Sequence, residues 1–312
     1  MKTNIAVLLS TYNGEKYLGE LLDSILAQKL EVDQRMTIFV RDDGSTDRTK
    51  EILREYAGEY DSIRLIGADK TENIGVKRSF FALLSAALSD RESHFFAFAD
   101  QDDVWLPDKM HEAVNMLEDC DTGNAAGRLY FSNKTITDQN LNILWKENDG
   151  FKRSPVFSVS KSNAYGCTMV MDRAFASIAE RHIPNICAYH DNWLYRLASS
   201  IGTEIVFDSN SYILYRQHQK NVAGAKKQTT VAEKIQYVTG DKDHYVQKIF
   251  KEIYAEYGDE VEAGPYAKEV RALARYTDSL RDRLVLLCNK DIMSTGAREY
   301  FRWAVRVMGN LI

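Results

Sequence analysis

The chain has 312 residues, of which 45% are hydrophobic and 27% charged, enough for one large α/β domain with additions or for two small domains. Its formal net charge of -5 argues against nucleic acid as a partner held by bulk charge. The four cysteines include no C-x-x-C pair, so we expect reduced thiols and no zinc site. The first apolar run is too short for a signal peptide and no run approaches a membrane span, which predicts a cytoplasmic protein.

Strands and helices alternate through the first third of the chain. Continuous apolar runs predict strands at residues 5–9, 37–40, 63–66 and 95–99. Apolar residues at helical spacing predict helices at residues 17–28, 47–60 and 75–88, and Pro107 suits the first turn of a fourth helix. Repeated strand-helix units predict a mainly parallel sheet covered by helices on both faces.

The rest of the chain is less regular. Residues 130–132 and 167–171 are predicted strands, residues 172–181 are a predicted helix, and an amphipathic stretch begins at Asp191. A further strand ends within residues 213–221. The segment 226–312 is predicted to be mostly helical, with helices at residues 231–238, 244–257, 266–288 and 297–312.

A polar loop follows each of the first four predicted strands. The loops are residues 10–17, 41–47 and 71–78 and the acidic cluster that begins at Asp100. In parallel sheets ligands bind at the carboxyl ends of the strands, so the four loops are expected to converge there. Each loop alone is typical of a turn or a helix cap, and Asp103 in particular could be the N-cap of the helix after Pro107.

The residue types in these loops indicate the kind of ligand. No G-x-G-x-x-G follows the first strand and no G-x-x-x-x-G-K-[ST] is present, which argues against a dinucleotide site and a P-loop. The carboxylates of Asp42 and Asp43 suit the donors of a base or ribose, and Tyr12 can stack on a flat base. Three carboxylates close together, as in the cluster that begins at Asp100, suit a divalent cation on phosphate oxygens. The pattern predicts a site for a nucleoside diphosphate and a metal ion.

Four sequence motifs, taken in their order along the chain, resemble the motifs of a known enzyme family. They are S-T-Y-N-G-E-K-Y-L, R-D-D-G-S-T-D, the N-x-G that starts at Asn73, and A-D-Q-D-D-V-W. Together they resemble the family 2 glycosyltransferases with the GT-A fold, and within them the rhamnosyltransferase-like bacterial group. The resemblance runs from about residue 4 to residue 224. It implies an enzyme that transfers a sugar from a nucleotide donor to an acceptor hydroxyl with inversion at the anomeric carbon.

The resemblance also implies roles on the donor side. It assigns nucleotide contacts to Ser10, Tyr12, Asp42 and Asp43, and places Lys77 or Arg78 near the diphosphate. Asp100 and Asp102 form the D-x-D pair, in which Asp102 ligates the metal and Asp100 contacts ribose or reaches the metal through water. The Y-R-Q-H motif supplies His218 as a late metal ligand. The implied cofactor is Mn²⁺ or Mg²⁺.

On the acceptor side the resemblance implies a general base. The family has an acidic residue at a helix start, often written E-D, and here the sequence reads His190-Asp191. Asp191 is the predicted base that takes the proton of the acceptor hydroxyl. A helix N-cap is the alternative interpretation of this residue, and His190 is the next candidate for the base.

The resemblance divides the chain and suggests its partners. Residues 1–110 would form the nucleotide-sugar half, residues 111–224 the acceptor half, and residues 225–312 a C-terminal helical region. The expected partners are a UDP- or dTDP-sugar donor and a glycan or lipid-linked glycan acceptor in cell-surface polysaccharide biosynthesis. Two alternatives stay open: a sugar-nucleotide nucleotidyltransferase, although the chain has no G-x-G-T-R loop, and a catalytically silent sugar-nucleotide binding protein.

The last predicted helix is basic and amphipathic. Arginines at positions 298, 302 and 306 share it with Phe301, Trp303 and Met308. Such a helix either packs on its own domain or makes a peripheral contact with the inner face of the cell membrane.

Overall fold

The computed structural model describes residues 3–68, 72–120, 123, 125–147, 151, 154–160, 164–218 and 244–311. Its strands are β1 (Thr3–Thr11), β2 (Gln34–Asp42), β3 (Ile63–Leu65), β4 (Ser93–Asp100), β5 (Val104–Trp105), β6 (Arg128–Thr137), β7 (Ile143–Lys146), β8 (Val170–Asp172) and β9 (Glu204–Arg216). They form one sheet in the order β3-β2-β1-β4-β8-β6-β9-β5, and β7 pairs with β6.

Seven helices in the described residues accompany the strands, and six more follow the last strand. The first set is α1 (Leu18–Leu26), α2 (Thr49–Glu59), α3 (Val76–Ser89), α4 (Lys109–Asp119), α5 (Pro155–Ser160), α6 (Arg173–Ala179) and α7 (His190–Ile201). The second set is α8 (Tyr245–Glu256), α9 (Gly258–Ala263), α10 (Ala267–Arg275), α11 (Leu280–Leu287), α12 (Lys290–Met293) and α13 (Ala297–Met308). The predicted α/β class with a C-terminal helical region is confirmed.

The four strands predicted in the first third of the chain are present and parallel. Val7 at the centre of β1 lies opposite Ile38 of β2 and Ala97 of β4, and all three are fully buried. Because helices cover both faces of these strands, the side chains at their centres meet an apolar surface, which explains the continuous apolar runs. Parallel strands bring their carboxyl ends to the same edge of the sheet.

Beyond β4 the sheet is mixed rather than mainly parallel. β8 is antiparallel to both β4 and β6, β6 and β9 are parallel, and β5 is antiparallel to β9. The predicted strand at residues 167–171 is correct only from Val170, because Gly166–Thr168 forms one turn of 3₁₀ helix. The Gly166 N–H donates to the carboxylate of Asp191 instead of to a neighbouring strand.

The C-terminal helices share their core with the sheet. Ile249, Leu273 and Trp303 belong to the same buried cluster as Leu8 of β1. The single helix predicted at residues 266–288 is wrong: Ser279 caps α11 by accepting from the Asp282 N–H, and α10 ends before it. The predicted helix at 231–238 and the predicted boundary after residue 224 lie outside the described residues.

A helix that spans a membrane needs both length and a continuous apolar character. None of the helices in the described residues combines the two.

Candidate active site

A cavity of about 830 Å³ opens at the carboxyl ends of β1 and β4. The loop after β1 and the acidic cluster after β4 form one side of it. The 3₁₀ turn, the first residues of α7 and the end of β9 form the other side. Of the predicted site residues, the following line it: Ser10, Tyr12, Asp43, Asp100, Asp102, Asp191 and His218. The structure therefore brings together residues that lie more than 200 positions apart in the sequence.

The loop after β1 is fixed by the loop after β2. Asn13 adopts a left-handed backbone conformation with φ 49°, and its side chain accepts from the Thr46 N–H at 2.9 Å. The Gly14 N–H donates to the Thr49 hydroxyl at 2.8 Å. A Cβ at Gly14 would lie 2.4 Å from the side-chain oxygen of Gln101, so this position has no space for another residue.

Gln101 was not predicted as a site residue. It joins the loop after β1 to the acidic cluster. Its side chain accepts from the Tyr12 N–H at 2.8 Å and donates to the Tyr12 carbonyl at 2.9 Å. The backbone of Tyr12 is held in this way while its ring is 48% exposed at the cavity. An exposed aromatic ring on a rigid backbone is suited to stacking on a base.

The two adjacent carboxylates after β2 serve different purposes. Asp43 lines the cavity, and its oxygens accept from Arg41 and from the N–H groups of Ile74 and Gly75 at 2.8 and 2.9 Å. Asp42 is absent from the cavity lining, and it accepts from the N–H groups of Gly44 and Ser45 within its own turn. The structure therefore does not support a nucleotide contact by Asp42.

Lys77 does not point into the cavity. Its ammonium donates to the carbonyls of Pro184 and Cys187, in the loop that leads into α7. Lys77 is also absent from the cavity lining. The predicted diphosphate contact is not supported by this placement, since two carbonyls already hold the ammonium.

Ser10 keeps its predicted position at the cavity and donates to the Ser79 hydroxyl at 2.8 Å.

The acidic cluster joins the end of β9. The His218 Nε2 lies 2.7 Å from an oxygen of Asp102, and the Arg216 guanidinium donates to the Asp102 carbonyl at 2.8 Å. Asp103 is fully buried and accepts from the Arg216 N–H at 3.1 Å. The prediction that Asp103 caps the next helix is wrong, because α4 begins at Lys109 and Asp103 instead anchors β9.

The electrostatics of this cluster fit a bound cation. The pKa of Asp100 is raised to about 7, because the side chain is buried and the carboxylates of Asp102 and Asp191 lie near it. Buried Lys134 offsets part of this negative charge. Among the described residues, ligand atoms of Asp100, Asp103 and Cys167 lie within 4.8 Å of one another, and Asp102 with its partner His218 lines the cavity beside Asp100. Carboxylate oxygens are the ligands that Mn²⁺ and Mg²⁺ prefer. A divalent cation there would relieve the repulsion that raises the pKa of Asp100.

Asp191 lies in the first turn of α7 and faces the same cavity. One carboxylate oxygen accepts from the Gly166 N–H at 3.2 Å and the other from the Asn192 N–H at 2.6 Å. Gly166 was not predicted as a site residue. A Cβ at this position would lie 2.5 Å from Nε2 of His190, so the position has space only for glycine. His190 is buried against Phe80, with ring centroids 4.1 Å apart. Burial lowers the pKa of His190, so its imidazole is neutral near pH 7.

Comparisons with known proteins identify the family of this chain. The family model described as Glycosyl transferase family 2 matches residues 6–178. The dTDP-rhamnosyl transferase RfbG of Shigella flexneri is 30% identical over 229 residues, which cover 70% of this chain and 74% of that protein. An uncharacterized protein of Mycobacterium tuberculosis is 26% identical over 230 residues, which cover 70% of this chain and 60% of that protein.

Solved structures share the fold at low sequence identity. Residues 1–349 of S. aureus TarS in complex with UDP-GlcNAc match with a TM-score of 0.55 and 14% identity, covering 99% of this chain and 82% of that chain. The mannosyltransferase PcManGT from Pyrobaculum calidifontis in complex with GDP-Man and Mn²⁺ matches with a TM-score of 0.50 and 17% identity, covering 98% of this chain and 84% of that chain. With the matched family model, these findings show that the chain belongs to glycosyltransferase family 2 and has the GT-A fold.

Proposed function

We propose that the protein is a metal-dependent, inverting glycosyltransferase that acts in the biosynthesis of a cell-surface polysaccharide such as O-antigen, capsule or exopolysaccharide. The observation that carries the proposal is one cavity that holds the paired carboxylates of Asp100 and Asp102, His218, and a separate carboxylate at Asp191. The dTDP-rhamnosyl transferase of Shigella and the UDP-GlcNAc complex of TarS support a dTDP- or UDP-sugar as donor.

The donor side of the cavity binds the nucleotide in this proposal. Tyr12 stacks on the base, Ser10 contacts the ribose or base, and Asp43 holds the third loop against the nucleotide pocket. The proposed metal ligands are Asp102, His218 and Asp100, and the Mn²⁺ of the Pyrobaculum complex supports a divalent ion. When bound, the cation would stabilise the departing nucleoside diphosphate as a Lewis acid.

Asp191 acts as the general base on the acceptor side. Its carboxylate takes the proton of the acceptor hydroxyl while the hydroxyl oxygen bonds to the anomeric carbon and the bond to the diphosphate oxygen breaks. The N–H groups of Gly166 and Asn192 hold the carboxylate in place before the acceptor arrives. A single displacement with no covalent intermediate inverts the configuration at the anomeric carbon.

Release of free nucleoside diphosphate from UDP- and dTDP-sugars, measured with Mn²⁺ and a panel of acceptors, tests this function. A glycosyltransferase releases UDP or dTDP in proportion to glycosylated acceptor. A nucleotidyltransferase would instead release pyrophosphate from a nucleoside triphosphate, and a silent binding protein would bind the donor without releasing product. Either of those two results would contradict the proposal.

We also propose a peripheral membrane contact through α13, which would place the enzyme at the inner face of the cell membrane. Phe301 and Met308 are 68% and 56% exposed, and Arg298 is exposed on the same helix. Trp303 takes no part, because its indole is buried and donates to the Leu286 carbonyl at 3.0 Å. The Phe301→Ser/Met308→Ser variant should float less than the wild type with anionic liposomes, and equal flotation would contradict this contact.

A further inference from the structure

The cavity lining is rich in negative charge and poor in positive charge. The carboxylates of Asp43, Asp100, Asp102 and Asp191 all contribute to it. Among the described residues of the lining, Lys16 is the only lysine or arginine. Phosphate oxygens bind most strongly to cationic donors, so an anionic ligand in this cavity needs such a group in addition to any metal ion.

Other cations near the cavity serve the protein itself. Lys77 and Arg78, which the family resemblance places near the diphosphate, are both absent from the cavity lining. The Lys77 ammonium and the Arg216 guanidinium each donate to two backbone carbonyls. The buried Arg41 guanidinium forms a salt bridge with Asp43. Of the described residues, Lys16 is therefore the lysine or arginine to which a ligand in the cavity has access.

The backbone on both sides of Lys16 is fixed, whereas its side chain is exposed. Before it, the Glu15 carboxylate accepts from the Arg48 N–H at 3.0 Å, and after it, the Tyr17 N–H donates to the Gly14 carbonyl at 3.1 Å. The Lys16 ammonium lies 4.7 Å from the centroid of the Tyr17 ring. A cation–π contact is weak at an exposed position, so the ammonium can exchange it for a phosphate oxygen at little cost.

The position of Lys16 connects the two proposed ends of the nucleotide site. Lys16 follows Tyr12, the residue proposed to stack on the base, by four positions in the loop between β1 and α1. The Tyr17 ring lies 5.1 Å from the ring of His218, whose Nε2 lies 2.7 Å from an oxygen of Asp102. In a nucleotide sugar the diphosphate follows the base and ribose, and a metal ion binds its oxygens. Lys16 is thus joined through its loop to the proposed base contact and through Tyr17 to the proposed metal ligands.

We propose that the Lys16 ammonium donates to a phosphate oxygen of the sugar-nucleotide donor, the contact that the resemblance assigns to Lys77 or Arg78. This inference rests on the proposed function, because that function supplies the nucleoside diphosphate. A compact point charge on a flexible stem suits phosphate oxygens. Negative charge on the diphosphate grows as its bond to the anomeric carbon breaks, so the contact strengthens in the transition state.

Nucleotide binding by Lys16→Met tests this contact without any need for turnover, because methionine keeps most of the length and removes the charge. Kd values for UDP and dTDP come from calorimetry, and those for uridine and thymidine from titrations followed by protein NMR. We expect the affinity for the diphosphates to fall about tenfold, the low end for a hydrogen bond to a charged group because the site is open to water. The affinity for the nucleosides should not change. The relative loss should be the same in excess chelator as with Mn²⁺, and Lys16→Arg should restore most of the affinity.

Two control variants locate the effect. Lys29→Met removes an exposed lysine that pairs with Asp108 at 2.8 Å and is absent from the cavity lining. Lys77→Met removes the cation that the resemblance places near the diphosphate. Both should keep the wild-type affinity for UDP and dTDP. Thermal unfolding of each variant shows that it is folded.

Three results would overturn the inference. The first is a wild-type affinity of Lys16→Met for UDP and dTDP. The second is an equal loss of affinity for diphosphates and nucleosides, which would show that Lys16 only supports the loop that carries Tyr12. The third is a loss of diphosphate affinity in Lys77→Met instead. Failure of the proposed function is distinguishable, because UDP or dTDP would then bind in a Lys16-dependent way while no donor released nucleoside diphosphate.

Discussion

The proposed donor side and the proposed acceptor side of the cavity are built in different ways. On the donor side, loops that directly follow parallel strands bond to one another, as Asn13 does to Thr46 and Asp43 does to Gly75. On the acceptor side, Asp191 is held by Gly166, from a turn between strands. Loops at the carboxyl ends of the strands thus position the residues on the proposed donor side, whereas Asp191 depends on the Gly166 N–H of a separate segment and on the Asn192 N–H of its own helix.

The largest expected effect on turnover comes from a substitution in the acidic cluster, which borders both sides of the cavity. Asp102→Ala should lower turnover by about 10³-fold or more, because the cation that Asp102 would hold in the proposed mechanism would contribute several kcal/mol to the stability of the transition state. Mn²⁺-dependent binding of UDP or dTDP, measured by calorimetry, should be lost as well. Full activity of the wild type in excess chelator would remove the metal from the mechanism.

A smaller effect is expected from the turn that holds Asp191, the proposed base. Gly166→Ala places a Cβ 2.5 Å from Nε2 of His190, and His190 cannot retreat because it packs against Phe80 and Phe98. The displacement should cost about 1–3 kcal/mol of stability and lower turnover by about 10²-fold through misplacement of Asp191.

The matched control is a glycine in an open environment. Gly58 lies in α2, and a Cβ there would meet no atom within 4 Å. Gly58→Ala should therefore raise the free energy of unfolding by about 0.5–1 kcal/mol and leave turnover unchanged. Thermal unfolding and steady-state rates of the two variants separate the local clash from a general effect of adding a methyl group. Equal rates for Gly166→Ala and the wild type would contradict the assigned contact.

The last effect concerns stability rather than turnover, through the support that Glu252 gives to the loop between α6 and α7. Burial raises the pKa of Glu252, but the hydrogen bonds from the Asn185 N–H, His182 and the Ile186 N–H lower it more, to a value below the ordinary 4.5. Because the folded state lowers this pKa, the stabilisation is present above pH 4.5 and is lost as the pH falls through the folded-state value.

Glu252→Gln should therefore lower the free energy of unfolding at pH 7 by about 2 kcal/mol, the size of hydrogen bonds to a charged group. The difference from the wild type should shrink as the pH falls below 4.5. Denaturant unfolding at pH 7 and at pH 3.5 measures it. A difference that stays constant over this range would show that the carboxylate charge does not stabilise the loop.

The sequence predicted the donor side well for a physical reason. A buried strand has a continuous apolar pattern, and the polar residues that follow it must lie at the sheet edge, so Ser10, Tyr12 and Asp100 were placed correctly. The placement of Lys77 away from the cavity could not be predicted in this way. Nothing within its own segment shows that the ammonium would be taken up by two carbonyls more than 100 residues away.

Long-range contacts also explain what was missed in the second half of the chain. Asp103 looks like a helix cap, and only the fold shows that it accepts from the backbone of Arg216, 113 positions later. The Arg216 guanidinium also donates to Glu20, 196 positions earlier in the sequence. Gly166 carries no motif of its own, because its role is to leave space for His190. Local patterns cannot encode such contacts.

The central claim is that Asp191 serves the acceptor and not the donor, and one paired measurement on Asp191→Asn tests it most directly. Asn keeps the size of the side chain and one oxygen for the Gly166 N–H, so the fold should survive. We expect unchanged affinity for UDP or dTDP in the presence of Mn²⁺ and a fall in turnover of about 10²–10⁴-fold, the usual loss when a general base is removed. Near-normal turnover, or a loss of nucleotide affinity as large as the loss of turnover, would contradict the claim.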